Sequence, residues 1–193
     1  MVVYCKLTIY YYTILYYIVL YLGGQQEYLH MLPLVCNDAV ALLFMFDLSR
    51  KSTLTSIKSW YKQARLLNKT AIPFLIGTKY DYYINMKSDE KYEITTQVRK
   101  FARAMKAPLL FCSASHSINV HKIFKVVLSK VFDLKCNVEQ ITGVGEPLIE
   151  YEINENIQST QSQNENNNEQ TNTNDSKEEH ELNEKTKSLS VNS

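Results

Sequence analysis

Three apolar runs stand out along the chain: AVALLFMFDLS (Ala39 to Ser49), AIPFLIGTKYD (Ala71 to Asp81) and APLLFCSAS (Ala107 to Ser115). Each is of strand length, and none alternates apolar with polar. Continuous runs of this kind suit central strands of a parallel sheet that is covered on both faces. Between the runs the period changes. Leu54, Ile57, Tyr61 and Ala64 recur at helical spacing, as do Ile94, Val98, Phe101, Ala102 and Met105. After the third run, Val120, Ile123, Phe124, Val127, Leu128 and Val131 form another stripe. Ser88 and Asp89 are expected to cap the second of these helices. Trp60, the only tryptophan, falls on the first helical pattern and reads as packing. The alternation predicts an α/β fold with a mostly parallel sheet, right-handed crossovers and helices on both faces. Ligands of such sheets gather beyond the carboxyl ends of the strands. The polar turns Asp47–Ser49, Thr78–Asp81 and Ser113–Ser115 fall there.

The flanks differ in composition. Residues 1–22 hold seven of the 14 tyrosines and carry no charge from Leu7 onward. That uncharged stretch falls slightly short of the roughly 17–25 residues a spanning helix needs. Its Tyr, Ile and Val content favours β structure, and Thr13–Tyr21 has the length of a strand. The same residues have A/T-rich codons, so non-coding DNA read in frame would look alike. Three readings stay open: a buried strand, an artefactual leader over 1–20, and a membrane segment over 7–22. Residues 137–150 form a short extension with two glycines and a proline. Residues 151–193 are rich in Asn, Gln, Glu, Ser and Thr, and are expected to be disordered.

Charge follows this division. The tail from Tyr151 has nine acidic and three basic residues, so the net +1 of the chain leaves +7 on the first 150 residues. That mild basic excess is weak evidence for anionic partners; a solvated surface is the simpler reading, and no nucleic-acid partner is expected. Cys5, Cys36, Cys112 and Cys136 show no CxxC pair, which argues against a zinc site, a redox dithiol or a disulfide scaffold. His30, His116 and His121 lack metal-ligand spacing, and no metal ligand is assigned. The C-terminal SLSVNS has no prenylation box, so no lipid anchor is expected.

Chemistry concentrates in three short turns. In GTKYD, Asp81 follows a buried strand and can accept from the N1–H and exocyclic amine of a guanine edge, while the Lys79 stem can lie over the base. In CSAS, a small-residue turn after the next strand can offer backbone N–H groups to the guanine carbonyl. Upstream, Gly23, Gly24 and Gln25 make a turn whose amide can reach a terminal phosphate and whose glutamine can orient water. Each turn alone is a weak pattern. Two base-reading turns after successive strands, with one helix between them, are more specific.

The set G-G-Q … T-K-x-D … S-A-S resembles Ras-like small GTPases. Longer stretches, from MLPLVCNDAVALLFMFDLSRKSTLTSIKSWYKQAR to GVGEPLIEY, resemble the septum-promoting branch of that family in fungi, the switch of the septation initiation or mitotic exit network. The resemblance runs from about Leu22 to Tyr151. It implies a GTP-binding switch that uses GTP/GDP and Mg2+, with Gly24 facing the γ-phosphate and Gln25 positioning the hydrolytic water. It assigns Thr78, Lys79 and Asp81 to guanine specificity, and Ser113, Ala114 and Ser115 to closing over the base. It also implies a downstream protein kinase, a GTPase-activating protein and a spindle-pole scaffold as partners, with a cytoplasmic location that includes the spindle pole body.

The chain departs from that pattern in three places. Thr78 stands where most Ras-like proteins have asparagine, so the turn is expected to be held less firmly. Tyr21 stands where the family has the aspartate of the magnesium shell, and a phenol does not supply the carboxylate that a hard cation favours. None of the glycines Gly23, Gly24, Gly77, Gly143 and Gly145 belongs to a G-x-x-x-x-G-K-[ST] phosphate loop. The resemblance therefore covers 21–136 as a partial, N-terminally truncated small-GTPase domain with the base-reading half present. Hydrolysis is expected to be negligible, nucleotide affinity low, and one flank of the sheet stripped of its helix. The alternative is a nucleotide-independent pseudo-GTPase that serves as a protein-interaction module.

Overall fold

The computed structural model describes residues 22–151. The leader 1–20, the strand expected over Thr13–Tyr21, the membrane segment except for Leu22, and the tail beyond Tyr151 lie outside the described residues. The described chain opens with a 3-10 turn, Gln26–Met31, and a short helix α1 (Leu32–Cys36). Then follow β1 (Ala41–Asp47), α2 (Lys51–Leu67), β2 (Ile72–Thr78), the helical turn α3 (Tyr80–Tyr83), α4 (Ser88–Met105), β3 (Leu109–Phe111), α5 (Val120–Val131) and β4 (Ile149–Glu150). The sheet order is β1-β2-β3-β4. The first three strands are parallel, with Ala41 opposite Ile72 and Gly77 opposite Phe111. β4 runs antiparallel to β3, with Leu110 opposite Ile149.

The three apolar runs become the three parallel strands, buried on both faces as continuous runs should be. Side chains alternate between two cores. Leu42, Phe44, Phe46, Leu75, Leu109 and Phe111 join α1, α2 and α4 in one. Ala41, Leu43, Phe74, Ile76 and Leu110 join α5, Val138, Ile149 and Tyr151 in the other. Val40, Met45 and Ile72 are half-buried beside this second core. Trp60 is buried on α2, as the helical spacing requires.

Several expectations need correction. Neither Ser88 nor Asp89 caps α4: the cap position is Lys87, with no side-chain hydrogen bond, and Ser88 opens the helix. Asp89 and Glu90 in the first turn favour the helix N-terminus through its dipole instead. On α5 the buried stripe is Ile123, Val126 and Val127, whereas Phe124 is 48% exposed. A helix turns 3.6 residues per revolution, so the face centred on Ile123 takes the residues three and four further on and leaves Phe124 at its rim. The extension also contributes to the core. Leu148 and Ile149 are fully buried, and Ile149 also exchanges hydrogen bonds with Ile141.

Among the described residues, Cys36 and Cys112 are buried and Cys136 is half-buried. Burial pushes the Cys112 thiol up to about 11. No helix of the described residues is long and apolar enough to cross a membrane.

If the C-terminal segment is part of the core, Ile149→Ala should destabilise the protein by about 2–4 kcal/mol in urea unfolding. Phe124→Ala on the rim of α5 should change it by less than about 0.5 kcal/mol. Equal effects would contradict the packing described.

Candidate functional site

Two turns meet at the carboxyl ends of β2 and β3. The first begins where β2 ends at Thr78. The Thr78 hydroxyl donates to the Phe46 carbonyl at 2.9 Å, tying β2 to β1. Lys79 then takes a left-handed conformation (φ 64°), which reverses the chain into α3. Its carbonyl accepts from the Tyr82 and Tyr83 amides, and its ammonium lies 5.8 Å from the Tyr82 ring centroid. Asp81 sits in the first turn of α3, not in an open loop. The Thr78 turn is held by this hydroxyl bond and by the backbone bonds that open α3.

The second turn is closed by a bridge in which Ser113 and Ile118 exchange backbone hydrogen bonds at 3.1 and 2.9 Å. Ser113 is buried at its base, while Ala114 and Ser115 are exposed at its tip. Among the described residues, nothing accepts from the Ala114 and Ser115 amides.

Backbone and side chains bind the two turns together. The Cys112 amide donates to the Gly77 carbonyl at 2.8 Å, and the Tyr80 amide donates to the Cys112 carbonyl at 3.0 Å. The Ser113 hydroxyl donates to Asp81 Oδ1 at 2.6 Å. Ser115 Oγ lies 3.0 Å from Ser113 Oγ and 3.1 Å from His116 Nδ1. His116 Nδ1 lies 4.0 Å from Asp81 Oδ2. The structure places His116 in this network, which no spacing rule on one sequence could have shown.

The hydrogen bond from Ser113 holds the Asp81 carboxyl below its ordinary value of 3.8, with the charges of His116 and Lys79 adding to the effect and partial burial opposing it. Asp81 is therefore ionised at neutral pH and acceptor-only. Oδ1 is engaged and Oδ2 faces His116. An ionised carboxylate, an exposed lysine and two amides with no acceptor among the described residues complement a planar ring that presents N–H donors on one edge and a carbonyl on the other. That is the hydrogen-bonding pattern of guanine.

Other expected residues do not join this cluster. Gln25 is exposed just ahead of the 3-10 turn, and its carbonyl accepts from the Tyr28 amide. Gly24 lies beside it, half-buried. No hydrogen bond links either residue to the base-reading turns among the described residues. Asp47, at the end of β1, accepts from the Ser49 amide and hydroxyl and from Arg50 Nε. Burial raises the Asp47 pKa, but those bonds outweigh it and leave the value lowered. Its lone pairs serve its own turn. No three His, Cys, Asp or Glu side chains among the described residues come together as a metal site.

Sequence reasoning also missed Tyr80 and Asn119. Tyr80 is buried inside the TKYD turn, and Asn119 is buried just past the CSAS turn. Tyr80 fills the unspecified position of T-K-x-D and Asn119 lies outside every motif, so no pattern marked either side chain.

A direct check of the junction is Ser113→Ala. Removing the hydroxyl should raise the Asp81 pKa towards 3.8, read by NMR titration of the side-chain carboxyl. Because the folded-state value is depressed, the stabilisation is complete above the unfolded value and disappears as pH falls through the folded one. The variant should therefore lose its stability deficit at acid pH. A titration unchanged by the substitution would show that the bond does not hold the carboxylate.

The Ras family model matches residues 18–133. The chain is 66% identical over 130 residues to Septum-promoting GTP-binding protein 1 of Schizosaccharomyces pombe, covering 67% of this chain and 66% of that protein. It is 27% identical to Rab-like protein 2A of Pongo abelii over 72% of this chain and 56% of the relative. It is 26% identical to Ras-related protein SEC4 of Saccharomyces cerevisiae over 64% of this chain and 54% of the relative. The chain thus spans between about half and two thirds of the length of these relatives. With the family model matching more than half of its residues, and with the parallel α/β sheet it requires in place, the chain belongs to the Ras family of small GTPases.

Proposed function

We propose that this chain carries the guanine-recognition half of a septation-type small GTPase. The Ser113–Asp81 hydrogen bond carries the reading, because it fixes an ionised acceptor near the Ala114 and Ser115 amides, which have no acceptor among the described residues. Lys79 covers the base with its stem, Asp81 reads the N1–H and exocyclic amine, and the Ala114 and Ser115 amides take the carbonyl. Thr78 and Ser113 position the two turns. The high identity to a septum-promoting GTP-binding protein supports the assignment to septation.

In this proposal GTP/GDP and Mg2+ are ligands of the intact switch, with Gly24 at the γ-phosphate and Gln25 orienting the attacking water. A protein kinase, a GTPase-activating protein and a spindle-pole scaffold are its partners. The 193 residues by themselves hydrolyse GTP poorly or not at all. Phosphoryl transfer rests on positioning and charge neutralisation. The five glycines of the chain form no G-x-x-x-x-G-K-[ST] loop, and Tyr21 takes the place of a carboxylate.

Guanosine, which has no phosphates, tests the base-reading half directly. In 15N-labelled chain, millimolar guanosine should shift the amides of Lys79, Ala114 and Ser115, and adenosine should not. Asp81→Ala should weaken the response at least about tenfold. GTP turnover by the same protein should not exceed the buffer rate. Equal shifts with both nucleosides would sink the guanine assignment and favour a nucleotide-independent interaction module. Turnover above buffer that is lost in Gln25→Ala would overturn the inactivity. The intact mass of the native protein, compared with 22.4 kDa, decides whether cells make a longer chain.

A further inference from the structure

The segment 138–151 folds back over β3 and touches both base-reading turns. Gly145, at φ +92°, makes a turn that the Glu146 amide closes onto the Gly143 carbonyl at 3.2 Å. This presents the Gly145 carbonyl to Tyr80, whose hydroxyl donates to it at 2.8 Å. Tyr80 lies between Lys79 and Asp81, with its ring buried. On the other side, Asn119 Nδ2 donates to the Phe111 carbonyl at 3.0 Å and the Pro147 carbonyl at 2.8 Å. Asn119 follows the Ser113–Ile118 bridge directly. One amide group therefore ties the end of β3, the segment and the root of the CSAS turn.

The segment itself is anchored. The Phe111 amide donates to the Leu148 carbonyl at 2.8 Å. Arg99 on α4 grips it through Glu150 and the Thr142 carbonyl. The Tyr151 hydroxyl donates to the Val138 carbonyl at 2.7 Å. Burial, followed by the charges of Tyr83 and Glu146, holds the Tyr80 phenol above its ordinary 10.0, so it remains a donor at neutral pH.

We propose that segment 138–151 is a strap that sets the geometry of guanine recognition, with Tyr80 and Asn119 as its positioning residues. Neither residue touches the base. Each transmits the position of the strap to one reading turn, Tyr80 to Lys79 and Asp81, Asn119 to Ser113–Ser115. The proposal rests on the guanine reading above for its purpose, but the bracing can be tested without any nucleotide.

The test uses amide hydrogen exchange on the full chain and on Tyr80→Phe, Asn119→Gly and the surface control Lys51→Met. Tyr80→Phe removes one hydroxyl and keeps the ring. Asn119 has φ 57°, a conformation that glycine adopts freely, so Asn119→Gly removes the donor without backbone strain. Exchange should quicken about five- to tenfold across 79–83 in the first variant and across 112–119 in the second. β1 should exchange as in the parent, and Lys51→Met should change neither turn. Where the parent shifts with guanosine, both variants should need more nucleoside for the same shift, while the urea midpoint moves little. Unchanged exchange in both turns, or a uniform rise that includes β1, would overturn the strap. A parent without guanosine response but with the local exchange pattern would keep the strap and refute only the guanine reading.

Discussion

β3 is three residues long, and the rest of the site depends on both of its edges being occupied. On one edge, Gly77 of β2 lies opposite Phe111. A Cβ on Gly77 would stand 2.8 Å from the Phe111 ring, so only glycine allows this approach. The ring then packs edge-on against Phe46 and Tyr83. On the other edge, Leu109 and Leu110 pair with β4. A strand so short has little hold on its neighbours through its own ladder. Its position comes from side chains packed on both faces and from the two partners that flank it. Because the CSAS turn leaves β3 directly and the TKYD turn leaves β2 directly, the separation of the two turns is set by this one stretch of sheet.

Much of this was legible in the sequence because burial on both faces leaves a continuous apolar run, and the three runs mark the parallel strands. The helices were legible from their period, though the period alone placed Phe124 inside when it lies at the rim. The extension was not legible as sheet. Only two of its residues, Ile149 and Glu150, are strand, too few for any alternation to register. The turns were legible as turns, yet their working parts were not. Tyr80 and Asn119 act through partners 65 and 28 residues away in the chain, and no local pattern encodes such a distance. The cap expected of Ser88 failed because the side chain was read one position too early, whereas the charge of Asp89 still suits the helix start.

The two halves of a GTPase site depend on different physics. Holding a triphosphate needs positive charge and oriented amides at one place, together with a divalent cation that brings its own charge. Reading a base needs few groups, but it needs them held in fixed geometry. In this chain that geometry is built from protein–protein bonds: a serine hydroxyl on a carboxylate, amides crossed between strands, and an asparagine shared by two carbonyls. None of these bonds requires a phosphate.

It follows that the two halves can be separated in their consequences. A site whose turns were ordered by the ligand would lose its shape along with the phosphate contacts, because ordering the loops would then have to be driven by base contacts alone. Turns ordered by the sheet and by the segment 138–151 do not carry that entropic cost at binding. On the proposed guanine reading, selectivity for the base rests with Asp81 and the amides beside it and does not depend on phosphate contacts. The same reasoning limits what the fold can do. On that reading, pre-organised turns select a base, whereas holding a triphosphate and stabilising its transfer draw on charge and a metal, so recognition and catalysis rest on separable parts of a site.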